Sequence, residues 1–141
     1  MPIVDIFTEV ERLKLDLENL SIGDLQVEMR ADGELLLVDI REIQELVDLG
    51  TVPGAVHVPR GMMEFWASPT SPYYRDCFTE DRRIVVFCAG GGRSAFAARD
   101  LQVMGFNHVA HLEAGFNGWA KAGGEIEDFA STSRWVRREE T

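Results

Sequence analysis

The sequence predicts an α/β fold built on a parallel sheet, and three observations carry that expectation. First, Leu35-Leu36-Leu37-Val38, Ile84-Val85-Val86-Phe87 and Val109-Ala110-His111-Leu112 are apolar runs of strand length, as expected of strands buried on both faces. Second, these runs alternate with segments of helical periodicity, the order that produces right-handed crossovers between parallel strands. Third, the run at 84–87 leads through Cys88, four small residues and an arginine straight into an alanine-rich helical pattern. In such sheets ligands bind beyond the carboxyl ends of the strands.

Ile3, Phe7, Val10, Leu13 and Leu17 recur at near-helical spacing, predicting an amphipathic helix laid against the domain. Ser21 with Asp24 at the third position predicts a capped helix that buries Ile22, Leu25 and Met29 and ends at Ala31-Asp32-Gly33. After the first apolar run, Asp39 and Glu42 have the spacing of a capping box for a short helix to about Leu49, stopped by Gly50. Pro53-Gly54 suits a type II turn before a short strand, Ala55-Val56-His57-Val58, which Pro59 ends. Met62-Met63-Glu64-Phe65-Trp66 predicts another short helix, and residues 68–81, marked by Pro69 and Pro72, predict a loop.

Ala97, Ala98, Leu101 and Met104 share one face of the helix after Cys88, with Gly105 at its C-terminal end. A last short helix from Gly115 to about Ala122 carries Trp119, and Gly123-Gly124 closes the domain. The end, Arg137-Arg138-Glu139-Glu140-Thr141, is charged and expected to fray.

At 141 residues the chain has the size of one domain, and 45% hydrophobic with 27% charged residues fits an ordinary globular protein. No run reaches the length of a membrane span, and the first residues lack a basic region followed by an apolar stretch. A cytoplasmic location is the expectation. The net charge of −10 argues against nucleic acid and anionic membranes as partners. It would also repel an anionic substrate, so local positive groups must dominate at any anion pocket. Cys77 and Cys88 are too few for a disulfide framework or a zinc site, and His57, His108 and His111 are scattered. Neither a metal nor an organic cofactor is expected, and Cys77 reads as a small packed apolar residue.

Cys88-Ala89-Gly90-Gly91-Gly92-Arg93-Ser94 carries the chemistry. The glycines allow positive φ and close approach of backbone to a ligand. Arg93 is a forked donor of fixed charge, and the helix opening near Ser94 presents free N–H groups. Together they aim backbone N–H groups, a helix N-terminus and a guanidinium at one sulfur. Cys88 is therefore expected to be a thiolate nucleophile beside an anion pocket. No general base is required if the thiol is already ionised.

These pieces resemble the rhodanese family from about Ser21 to Glu127. The carrying residues are Leu36-Leu37-Val38-Asp39-Ile40-Arg41, Val52-Pro53-Gly54-Ala55-Val56-His57-Val58-Pro59-Arg60-Gly61, Phe87-Cys88-Ala89-Gly90-Gly91-Gly92-Arg93-Ser94-Ala95, Met104-Gly105-Phe106 and Gly115-Phe116-Asn117-Gly118-Trp119. The resemblance implies a five-stranded parallel sheet flanked by helices on both faces. With it go three segments: an N-terminal helical extension at 1–20, the rhodanese-like domain at 21–127 and a charged tail at 128–141.

It also implies a sulfurtransferase in which Cys88 takes sulfane sulfur from a donor such as thiosulfate and hands it to cyanide, a small thiol or a protein thiol. Residue by residue, Ala89, Gly90, Gly91, Gly92 and Arg93 would form the substrate cradle, with Arg93 on the donor's oxygens and Ser94 supporting the loop. Asp39 and Arg41 match an Asp-x-Arg that braces the active-site region; a helix cap and an exposed first-turn arginine are the plain alternatives. Arg60 reads as a solvated surface arginine.

Two rivals remain. A phosphatase or arsenate reductase would use Cys-x5-Arg, whereas Cys88 and Arg93 bracket four residues, and no acid for the leaving group stands out. A binding, regulatory or sulfur-relay module could dock a protein through Phe65, Trp66, Tyr73 or Tyr74, although most of these are expected in the core.

Overall fold

Four consecutive strand residues with no exposed side chain require cover on both faces, and the chain supplies it. The computed structural model describes residues 2–31 and 33–132. Its strands are β1 (Glu18–Leu20), β2 (Leu36–Asp39), β3 (Val56–His57), β4 (Ile84–Phe87) and β5 (Val109–Leu112). All pair in parallel, in the order β1-β5-β4-β2-β3. Every residue of β2, β4 and β5 is buried.

Alternate side chains divide the interior into two layers. Leu36, Val38, Ile84, Val86 and Val109 face one layer, with Met63, Ala97, Ala98 and Leu101. Leu37, Val85, Phe87, Ala110 and Leu112 face the other, with Leu25, Phe116 and Trp119. The first layer is covered by α4 (Met63–Ala67) and α5 (Gly92–Met104), the second by α2 (Ile22–Arg30) and α6 (Gly115–Lys121). The remaining helices are α1 (Ile6–Lys14), α3 (Ile43–Leu49) and α7 (Phe129–Thr132). No helix among the described residues is long and apolar enough to cross a membrane.

The strand order places the site. From β2 the chain moves outward to β3, while from β4 it moves the other way to β5. The crevice between the carboxyl ends of β2 and β4 is thus a topological switch point, and the segments that leave it begin at Ile40 and Cys88.

Several local expectations hold. Ser21 accepts the Asp24 N–H at 3.0 Å and Asp24 caps back, forming the capping box of α2. Leu25 is fully buried, with Ile22 and Met29 packed beside it. Gly54 and Gly105 adopt φ of +84° and +112° at their turns.

Other details differ. The capping box of α3 is Glu42 with Glu45, not Asp39 with Glu42. Asp39 remains in β2, where a buried guanidinium claims its carboxylate. In α1 only Val10 and Leu13 are buried, while Ile3 and Phe7 stand exposed. The helix ends before Leu17 because the chain turns into β1, an edge strand whose only buried side chain is Leu20.

Beyond α6, Thr51 and Glu127 exchange backbone hydrogen bonds at 3.0 and 2.8 Å, and the Phe129 ring meets His57 edge-on at 5.5 Å. Most of the charged end falls at 133–141, outside the described residues.

Candidate active site

Cys88 follows the last residue of β4, and its side chain is 1% exposed. Gly91, at φ +99°, turns the chain into α5, which begins at Gly92, two residues before Ser94. This turn brings the Gly91 N–H to 3.2 Å and the Ser94 N–H to 3.4 Å from the Cys88 Sγ. The thiol lies 3.6 Å from Ser94 Oγ, to which it donates. The sulfur therefore sits over the first turn of a 13-residue helix, where partial positive charge collects.

The loop's carbonyls are tied elsewhere. Cys88 O accepts from Phe116 N–H at 2.8 Å and Ala89 O from Asn117 N–H at 3.0 Å, both in the first turn of α6. Because trans peptides place N–H opposite C=O, the amides of Ala89 and Gly90 point away from α6. Two glycines make this docking possible. A Cβ on Gly115, at φ +65°, would lie 2.4 Å from Ala89 O, and one on Gly91 would lie 2.2 Å from Glu113 O.

A cavity of about 470 Å³ opens beside Cys88. Gly90, Gly92, Arg93 and Phe96 line it from α5 and the loop, and Ile6, Phe7 and Val10 of α1 form a further wall. Arg93 reaches this rim with its guanidinium paired to Glu45 of α3, at 2.8 and 2.9 Å. The pair holds the Glu45 carboxyl below the ordinary carboxylate range.

Asp39 and Arg41 form a fully buried ion pair at 2.7 Å. Arg41 also donates to Gly50 O at 2.7 Å, and Thr51 Oγ1 donates to Asp39 at 2.8 Å. The Arg41 guanidinium lies 4.2 Å from the centre of the Phe116 ring. Since Phe116 N–H holds Cys88 O, the pair is one packing contact away from the cysteine loop. Arg41 is thus neither exposed nor a first-turn residue of α3. Arg60 pairs with Glu64 and Asp100 away from the cavity.

Phe65 and Tyr73 are exposed, whereas Trp66 and Tyr74 pack on the core. The exposed pair lines a groove with Met104 at the C-terminal end of α5, roughly 18 Å along the helix from its start beside Cys88. Cys77 is half-buried and packs on the core, where burial raises its pKa.

His111 is the participant that sequence reasoning missed. It is completely buried, with Nδ1 2.9 Å from Ser94 Oγ and Nε2 2.7 Å from Asn19 Oδ1. Burial pushes its pKa down to about 4, and Lys14 adds to the effect while Glu113 opposes it. The available signal was a lone ionisable residue inside a strand that is otherwise apolar.

Comparison with known proteins agrees with this architecture. The rhodanese-like domain profile matches residues 23–122. The chain belongs to the rhodanese family. A provisionally named sulfurtransferase of Bacillus subtilis (strain 168), YtwF, is 30% identical to it over 105 residues, 74% of this chain and 92% of that protein. A sulfurtransferase of Allochromatium vinosum is 33% identical over 94 residues, 66% of this chain and 79% of that protein.

Among solved structures, a Rhodopseudomonas palustris protein of unknown function, described as a possible tyrosine phosphatase, superposes with a TM-score of 0.82 at 40% identity. That match covers 90% of this chain and 99% of the other. A thiosulfate sulfurtransferase of Pseudomonas aeruginosa superposes at 0.70 with 27% identity, over 86% of this chain and 22% of that longer one. In this rhodanese-family chain α1, which walls the cavity, lies outside the matched profile.

Two outcomes are expected. Gly115→Ala will force Ala89 O away and combine overlap with a strained φ, destabilising the protein by about 1–3 kcal/mol and slowing reaction at Cys88. Denaturant melts and thiol alkylation will register both. Separately, between the ordinary histidine value of 6.5 and about 4, the unfolded chain binds a proton at His111 that the folded chain refuses. Stability falls as pH is lowered through that window, and urea midpoints of His111→Asn will show a flatter dependence there.

Proposed function

We propose that the protein is a sulfurtransferase that carries sulfane sulfur as a persulfide on Cys88. The observation that carries this reading is the Cys88 Sγ held by the Gly91 and Ser94 N–H groups at the start of α5. Backbone donors aimed at sulfur favour its anionic forms without reorganisation. With thiosulfate as donor, the Cys88 thiolate attacks the outer sulfur, the bond between the donor's two sulfurs breaks, and sulfite leaves with its electron pair. Cyanide, a small thiol or a protein thiol then removes that sulfur and returns the thiolate. The cradle of residues 89–92 would receive the donor, and Asp39 with Arg41 would steady the loop through Phe116.

Arg93 is the group assigned to the donor's oxygens, and its pairing with Glu45 sets a condition on that role. The guanidinium must share its donors between a carboxylate and the incoming anion. In a protein of net charge −10, this makes small dianions weak substrates at low salt.

A second reading, hydrolysis of phosphate monoesters, has one observation in its favour: the description attached to the similar Rhodopseudomonas palustris structure. Against it stands the loop, which brackets four residues between Cys88 and Arg93. A binding or relay role is separated from both by Cys88→Ala.

Intact-mass measurement after thiosulfate treatment is expected to show a gain of one sulfur atom, reversed by cyanide and absent in Cys88→Ala. No gain on a reduced thiol, together with turnover of p-nitrophenyl phosphate, would transfer the assignment to the phosphatase reading. Glu45→Gln is expected to lower KM for thiosulfate roughly fivefold, the equivalent of the about 1 kcal/mol that a part-exposed ion pair contributes. Steady-state kinetics at two salt concentrations will measure it.

A further inference from the structure

From the cysteine, through residues that do not line the cavity, runs a chain of polar groups that the sulfur-transfer scheme leaves unused. It links Cys88 Sγ to Ser94 Oγ at 3.6 Å, Ser94 Oγ to His111 Nδ1 at 2.9 Å, and His111 Nε2 to Asn19 Oδ1 at 2.7 Å. Cys88 comes from β4, Ser94 from α5, His111 from β5 and Asn19 from the edge strand β1. Cys88, Ser94 and His111 are each no more than 1% exposed.

The far end of the chain determines the direction of every hydrogen bond in it. Asn19 Nδ2 donates both its hydrogens, to Lys14 O at 2.9 Å and Leu17 O at 3.1 Å. Its oxygen must therefore face His111 and accept from Nε2–H. In the neutral ring this leaves Nδ1 as an acceptor, so the Ser94 hydroxyl donates to it. The Ser94 oxygen then turns a lone pair towards Cys88 and accepts the thiol hydrogen.

We propose that Ser94 and His111 are a proton relay for Cys88, with His111 the positioning residue that receives the thiol proton. When the S–H bond breaks, its proton bonds to Ser94 Oγ, and the proton already on that oxygen passes to His111 Nδ1. One proton has moved from sulfur to imidazole, and no external base is consumed. The Ser94 hydroxyl now points at the thiolate and donates to it, joining the Gly91 and Ser94 amides. When an acceptor has removed the sulfur, the reverse shift restores the thiol.

The surroundings couple the two sites. Lys14 faces the ring from α1, and its pairing with Glu11 and Glu113, each at 3.3 Å, tempers its repulsion of an imidazolium. Opposite a neutral thiol, burial disfavours the imidazolium. Opposite the thiolate the charges attract, so the protonation states belong to the pair.

The test is the pH dependence of Cys88 alkylation by iodoacetamide between about pH 5 and about pH 9, with peptide mapping to separate Cys88 from Cys77. Ser94→Ala and His111→Asn are each expected to slow Cys88 alkylation roughly tenfold on the acid side of the profile and to leave its alkaline limit unchanged. The double variant should be no slower than either single one. Asn at 111 keeps an acceptor for the Ser94 hydroxyl but cannot hold the proton. A wild-type profile in that variant would mean a purely structural histidine and overturn the relay.

Should His111→Asn fail to fold, nitrogen chemical shifts of the wild-type ring decide the matter. A second ring proton while Cys88 is thiolate, absent in Cys88→Ala, supports the relay; a ring neutral throughout the titration refutes it. The relay rests on reading Cys88 as the reacting sulfur, but alkylation requires no sulfur transfer. A shifted profile in a protein that forms no persulfide would leave the relay standing and remove the sulfurtransferase reading alone.

Discussion

The cysteine loop keeps its shape because its backbone is docked, carbonyls first, onto the amides that open α6. Phe116 N–H and Asn117 N–H take the oxygens of Cys88 and Ala89, and Gly115 and Gly91 leave the space that lets the two backbones approach. Buried carbonyls require partners, and satisfying these two on one side orients the adjoining amides towards the other. The orientation of the Ala89 and Gly90 amides thus follows from a contact between main-chain segments far apart in sequence. The Asp39–Arg41 pair supports the same contact from below, through the Phe116 ring. A buried ion pair is a weak source of net stability. Its evident service here is to join β2, Gly50 and Thr51 to the base of the loop.

Charge is handled locally. The protein is strongly acidic, yet the groups nearest the sulfur are amide dipoles and a serine hydroxyl, with the His111 imidazole one step back. The Arg93 guanidinium on the cavity rim is held by Glu45. The Gly91 and Ser94 amides are fixed dipoles at short range from the sulfur, and salt screens such buried contacts much less than a surface charge. On the proposed sulfurtransferase reading, the same arrangement limits how strongly a small, highly charged donor is held.

Much of this was legible in the residues. The three apolar runs marked β2, β4 and β5 because strands buried on both faces are mostly apolar, and Ser21 with Asp24 marked a helix start through a local interaction. The glycine-rich loop announced a tight turn because positive φ and close approach select glycine, as at Gly91. Three features were hidden for physical reasons. β1 is three residues long, with polar Glu18 and Asn19 on an edge, and exists because β5 offers it hydrogen bonds. The start of α3 shifted to Glu42 because Asp39 prefers a buried guanidinium to a cap, a choice made by tertiary contact. His111 looked scattered because its partners lie 17 and 92 residues away in sequence.

The wall that α1 contributes to the cavity has a different standing from the rest of the site. Nine residues long, it is anchored by just two buried side chains, Val10 and Leu13. A short surface helix with so few buried anchors belongs to the low end of the local-stability range. The remaining cavity residues sit on a loop and helix fastened to the sheet. Val10 of α1 reaches the cavity, and the Lys14 carbonyl at its end accepts from Asn19, so the wall and the polar chain that starts at the cysteine are tied to the same short helix. A substitution that loosens α1 is therefore expected to alter the cavity wall and the outermost link of that chain together, through one stretch of backbone.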